Sequence, residues 1–139
     1  MPTAKKPAKK AAKAPAAVVV PSRFVDGISG KELFKVGRQM GMSSEQCERL
    51  SGVSASKLRR GRGGEEIVPV EKLVDIRRVE MIFLRAVALC GGNEPAAVQW
   101  VSAYAPALNG RKPIEVAETV AGAKSVEKLL AQLAGAVGQ

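Results

Sequence analysis

The sequence predicts an all-α fold, and three observations predict it. Apolar residues recur at helical spacing through most of the chain after residue 30. No stretch shows strand-length alternation, and aromatic residues are only 4% of the 139 positions. Phe24, Phe34, Phe83, Trp100 and Tyr104 are the full aromatic complement, so alanine, leucine and valine must fill the interior. Such side chains suit close-packed helices better than stacked sheets. The length allows one domain, or a small domain with a tail.

The first segment, residues 1–22, is expected to be a disordered Lys/Ala/Pro-rich tail. Residues 1–20 carry five lysines and no acid, and Pro7, Pro15 and Pro21 interrupt any helix. Ala16-Ala17-Val18-Val19-Val20 is too short for the apolar region of a secretory signal, and the lack of arginine argues against a mitochondrial presequence. The segment resembles the Lys-Ala-Pro tails of bacterial histone-like proteins. It reads as a loose phosphate-binding arm or as a solubilising extension.

Residues 23–66 read as a helix-turn-helix region. Leu33, Val36 and Met40 mark a helix over 31–40, stopped by Gly41. Ser43 opens a capping box with Gln46, and that helix runs to about Ser51 before Gly52. Ser54 caps a third helix, Ala55 to about Arg60. A connection of this length between two helices has DNA-binding spacing. Ser54, Ser56, Lys57, Arg59, Arg60 and Arg62 are the candidate DNA contacts, because short polar and forked cationic groups reach base edges and phosphates. One residue departs from the pattern: Glu48 stands four before the turn glycine, where a small residue is usual.

Residues 67–92 read as a long central helix beginning near Pro69 and ending at Gly91-Gly92. Its second half is apolar nearly all round. Val79, Ile82, Phe83, Ala86 and Val87 leave more apolar surface than one small domain can cover, which predicts a homodimer interface. In residues 93–139, Asn93 caps a helix with Pro95 just inside it. A loop over 107–112 follows, then a short helix from Pro113. A last helix from about Gly122 to Ala134 carries a core stripe of Val126, Leu129, Leu130 and Leu133.

The formal net charge of +9 is uneven: +5 over residues 1–20, +5 over 21–64 and −1 over 65–139. A cationic front and a nearly neutral back suggest a polyanion partner at one end and another task at the other. Histidine is absent, which removes the commonest general base and metal ligand. Cys47 and Cys90 are too few and too far apart for a zinc site or a disulfide framework. Gly61-Arg62-Gly63-Gly64 lacks the lysine that a phosphate loop needs, and Glu65-Glu66 lies in a Gly-rich surface loop. No run is long enough for a membrane span. The expectation is a binding protein without a cofactor or metal.

The last third carries a more specific pattern: Trp100, then Pro106, Leu108, Gly110, Pro113, Ile114 and Glu115, then Gly122, Val126, Leu130 and Gly135. It resembles the toxin-binding domain of the Xre/MbcA/ParS antitoxin family, with Asn109 where the family usually has glycine. The upstream helices follow the family's layout, so the resemblance covers about residues 30–137.

That resemblance implies an all-helical dimer that binds a RES-type, NAD-consuming toxin, occludes its active site and represses its own promoter. Leu108, Asn109, Gly110, Arg111 and Lys112 are then the candidate toxin contacts, with Arg111 as an exposed anchor. The expected partners are toxin, operator DNA and a second copy, in a bacterial cytoplasm and on the nucleoid when DNA-bound. The alternative is a stand-alone DNA-binding regulator or nucleoid protein that uses the C-terminal domain for self-association.

Overall fold

The computed structural model of the chain describes residues 22–137, so the reading of the Lys-rich tail lies outside the described residues except at Ser22, which is tied down by donating to Glu80 Oε1 at 2.6 Å. The described part is all-helical, as the sequence predicts. Seven α-helices follow in order: α1 (Gly30–Gln39), α2 (Ser44–Ser51), α3 (Ala55–Arg59), α4 (Val74–Leu89), α5 (Glu94–Ser102), α6 (Pro113–Val116) and α7 (Val120–Val137). Single 3-10 turns at Val70–Lys72 and Pro106–Leu108 join some of them. Extended pairing among the described residues is limited to two isolated bridges, Ser29 with Ile67 and Ala105 with Arg111.

Local chemistry sets the helix ends. Ser29, Ser43, Ser54 and Asn93 each accept a bond from the backbone N–H three residues on, at 3.0–3.2 Å. Gly52 closes α2 in the left-handed conformation at φ 78°, where a side chain would be strained. The long helix starts at Val74, five residues after Pro69. Val68 N–H bonds Ile28 O at 2.9 Å, which ties this segment beside residue 28. The chain then needs the Val70–Lys72 turn before α4 can set off.

The capping box at Ser43 forms only by half. Gln46 N–H bonds the Ser43 hydroxyl, but the Gln46 side chain turns away from the helix end. It donates instead to Ile114 O and to Glu118, each at 2.9 Å. Gln46 is buried, so a tertiary acceptor wins over the local one.

One hydrophobic core runs from Phe24 to Leu130, with α4 at its centre and α2, α5, α6 and α7 against it. Val126 and Leu130 of the predicted α7 stripe are buried in it, and Leu129 packs at its edge. The expected dimer face is corrected here. Val79, Ile82, Phe83 and Ala86 are 0–1% exposed within the single chain, and Val87 is half-buried against the same core. A helix enclosed by several neighbours of its own chain needs an apolar surface nearly all round, and α4 is enclosed in that way.

The α1–α2 crossing is close because Gly37 has no side chain. A Cβ there would stand 2.5 Å from Cys47 Sγ. Cys47 is fully buried and its thiol is pushed up to about 11 by burial, with the Arg38 charge pulling weakly the other way. The ordinary value is 9.0, so between pH 9 and 11 the unfolded chain sheds a proton that the folded chain keeps. Rising pH therefore destabilises the fold through this group, by about 3 kcal/mol once pH passes 11. Denaturant melts across that range should show the loss, and Cys47→Ala should flatten it.

Candidate functional site

α2 ends at Gly52 in the left-handed conformation, and the turn Gly52-Val53-Ser54 leads into α3. Glu48 does not disturb it. The side chain is exposed, and its Oε1 accepts from Ala55 N–H at 3.0 Å, satisfying the first free donor of α3. Helix α3 is short, and Arg60 closes it.

Of the six candidate DNA contacts, Lys57, Arg59, Arg60 and Arg62 are exposed. Ser56 is half-buried. The Ser54 hydroxyl is committed to capping, between Lys57 N–H and the Ser56 hydroxyl, each at 3.2 Å. Ser54 therefore shapes the helix start rather than offering a free polar group.

At the opposite end, residues 105–111 form a closed loop. Ala105 N–H bonds Arg111 O at 3.1 Å, and Gly110 N–H bonds Ala105 O at 2.9 Å. Asn109 sits at φ 60° and is the one non-glycine residue with positive φ among the described residues. Its short side chain tolerates that conformation. Asn109, Gly110 and Arg111 are exposed, whereas Leu108 is only 8% exposed. The Leu108 reading is corrected: it plugs the loop onto the core and offers almost nothing to a partner. Pro113 and Ile114 are buried just beyond it and anchor the other arm.

Sequence reasoning missed Tyr104. It is 73% exposed, and the Lys112 ammonium lies 5.2 Å from its ring centroid, in cation–π range. The heptapeptide before it reads as continuing helix, but α5 ends at Ser102 and leaves Tyr104 standing at the loop's edge. Tyr104 and Arg111, both exposed, are of the residue types enriched at protein interfaces.

The two ends belong to one body. Gln46 spans from α2 to α6, and Arg49 pairs with Glu118 at 2.6 Å. Arg78 of α4 donates to Glu118 O at 2.8 Å. The turn after α1 packs there too: a Cβ at Gly41 would meet Ser102, Val98 and Ile114. Gly122 completes this corner, since a Cβ on it would run into the Val116 carbonyl.

Ion pairing divides the arginines. The chain has ten, and Arg23, Arg49, Arg77, Arg78 and Arg85 each face a carboxylate within 4.0 Å. Among the described residues, Arg38, Arg59, Arg60, Arg62 and Arg111 have no such partner. Four of these lie on or beside α1 and α3, and the fifth lies on the 105–111 loop. Among the described residues, no helix is long and apolar enough to cross a membrane, and no group of three Cys, Asp or Glu stands placed for a metal.

Residues 84–135 match the family model of the antitoxin Xre/MbcA/ParS C-terminal toxin-binding domain. The match begins in the second half of α4, takes in α5, the 105–111 loop and α6, and ends within α7. It agrees with the family that the sequence resembles, over a shorter stretch than the whole layout. None of the curated proteins compared matches the chain.

Proposed function

We propose that this chain, whose residues 84–135 match the toxin-binding domain of Xre/MbcA/ParS antitoxins, is the DNA-binding antitoxin of a toxin–antitoxin pair. The match carries the antitoxin role. The finer reading is a RES-type, NAD-consuming toxin held by the 105–111 loop, with its active site covered. Capture of this kind needs no bond-making by the antitoxin, only a rigid loop and anchors that need little ordering on binding. The loop's internal bonds supply the rigidity, and Tyr104 and Arg111 are the anchors.

The front of the chain is proposed to bind operator DNA and repress the promoter. The unpaired Arg59, Arg60 and Arg62 support this, since cations without internal partners keep their charge for a polyanion. We further propose a homodimer, now through the exposed face of α4 and its preceding turn. Val70, Val74 and Met81 are 49%, 55% and 39% exposed there. The protein would act in the bacterial cytoplasm, at the nucleoid when bound to its operator.

The test is capture of full-length chain with its bound proteins from the native host, followed by NAD measurement in cells expressing the captured partner. Recovery of a protein that depletes NAD alone, and spares it when co-expressed with this chain, is the expected result. Capture of promoter DNA with no protein partner would overturn the antitoxin reading and favour a stand-alone regulator.

A further inference from the structure

We propose that Lys31, Lys35 and Arg38 of α1, with Lys72 beside the Gly52 turn, form two phosphate-gripping rails flanking α3. The chain would thereby hold both backbone walls of one DNA major groove. The proposal rests on the reading of α3 as the DNA-facing helix.

Lys31, Lys35 and Arg38 recur at i, i+4 and i+7, so they form one stripe along α1, and all three are exposed. Leu33, Val36 and Gly37 on the opposite side are buried. A merely solvated helix face gains from alternating signs, whereas like charges three and four residues apart repel. Glu32 is the one acid of α1, and it lies off the stripe. Among the described residues the three cations have no carboxylate within ion-pair distance, and neither has Lys72. The three like charges repel along α1, and an anion bound along the stripe would relieve that repulsion.

The stripe opens onto α3. A groove of about 460 Å³ lies between the two helices, lined by Lys31 and Arg38 of α1, Arg59 of α3 and the Glu65 carboxylate. A second groove of about 230 Å³ meets α3 from another side, lined by Lys57, Arg62 and Lys72 with Glu66. Leu58 alone lines both. A helix seated in a DNA major groove has a sugar-phosphate wall on either side, about 12 Å apart. Two cation-lined grooves flanking one short helix match that arrangement. A flat anionic surface such as a lipid headgroup layer would meet the cations of only one plane.

The experiment uses full-length protein, its own promoter duplex and a random duplex of equal length, titrated across a range of salt. One variant combines Lys31→Ala, Lys35→Ala and Arg38→Ala; a second is Lys72→Ala. Circular dichroism checks that both stay folded. The lysines of residues 1–20 are present throughout and cancel. For phosphate contacts, affinity should fall by the same factor on both duplexes. The slope of log K against log salt should become shallower by about 3 for the triple variant and about 1 for Lys72→Ala. Parent-like slopes, with the parent binding DNA, would overturn the rails and leave α3 as the DNA reader. A loss confined to the promoter duplex would also overturn them, since it would assign these side chains to base reading. If the parent binds neither duplex, the α3 reading fails first and the rails fall with it.

Discussion

Phe83→Ala is expected to remove about 3–5 kcal/mol of folding stability, the cost of emptying a large buried aromatic site. Phe83 is 1% exposed in the single chain, with Val79, Ile82 and Ala86 of the same helix equally enclosed. The loss relative to the parent should be the same in urea melts at about 1 µM and about 100 µM protein, because a core defect is not linked to association by mass action. An interface residue behaves differently, since its truncation matters most where the dimer would otherwise be populated. Met81, two positions away and 39% exposed, supplies the internal comparison. As a monomer, Met81→Ala should stay within about 0.5 kcal/mol of the parent. If Phe83→Ala melted like the parent at low concentration and differed only at high concentration, the enclosed face of α4, and not the exposed face with Val74 and Met81, would be the interface.

That helix also shows where sequence reasoning reached its limit. Periodicity records that a helix is apolar on most sides, but not whether its neighbours come from its own chain or from a copy. Val79, Ile82, Phe83 and Ala86 looked surplus because α7 and α5 cannot be docked from spacing alone. The helix ends were legible for the opposite reason. Ser43, Ser54 and Asn93 act on N–H groups three residues away, and Gly52 acts on its own φ. Gln46 was legible only by half: its backbone obeys the local rule, while its side chain answers to Ile114, 68 residues on.

The 105–111 loop divides in the same way. Gly110 and Asn109 announced the turn, and Pro113 announced the helix after it. Leu108 looked like part of an exposed loop but is turned inward, and Tyr104 looked like helix but stands exposed beside Lys112. α5 ends at Ser102, which leaves Tyr104 outside the helix. The Glu48 departure was visible in the sequence. Its harmlessness was not, because that depends on a carboxylate reaching across the turn to Ala55.

The second large effect is a separation of functions by substitution. Arg59→Ala with Arg60→Ala should weaken operator binding by about 1–3 kcal/mol for each arginine that reads a base, and leave toxin capture intact. Tyr104→Ala with Arg111→Ala should weaken toxin capture by about 2 kcal/mol for each anchor, and leave operator binding intact. Both pairs are exposed side chains without ion-pair partners among the described residues, so neither substitution should unfold the protein. The same purified variants should be measured for promoter-duplex shift and for toxin co-purification. Gln46 and Arg49 hold α2 to Glu118, just beyond α6, so the experiment has a second informative outcome. If the loop pair lowered operator affinity while the α3 pair had no effect, the two faces would not divide the work, and the DNA surface would have to be sought beside the loop.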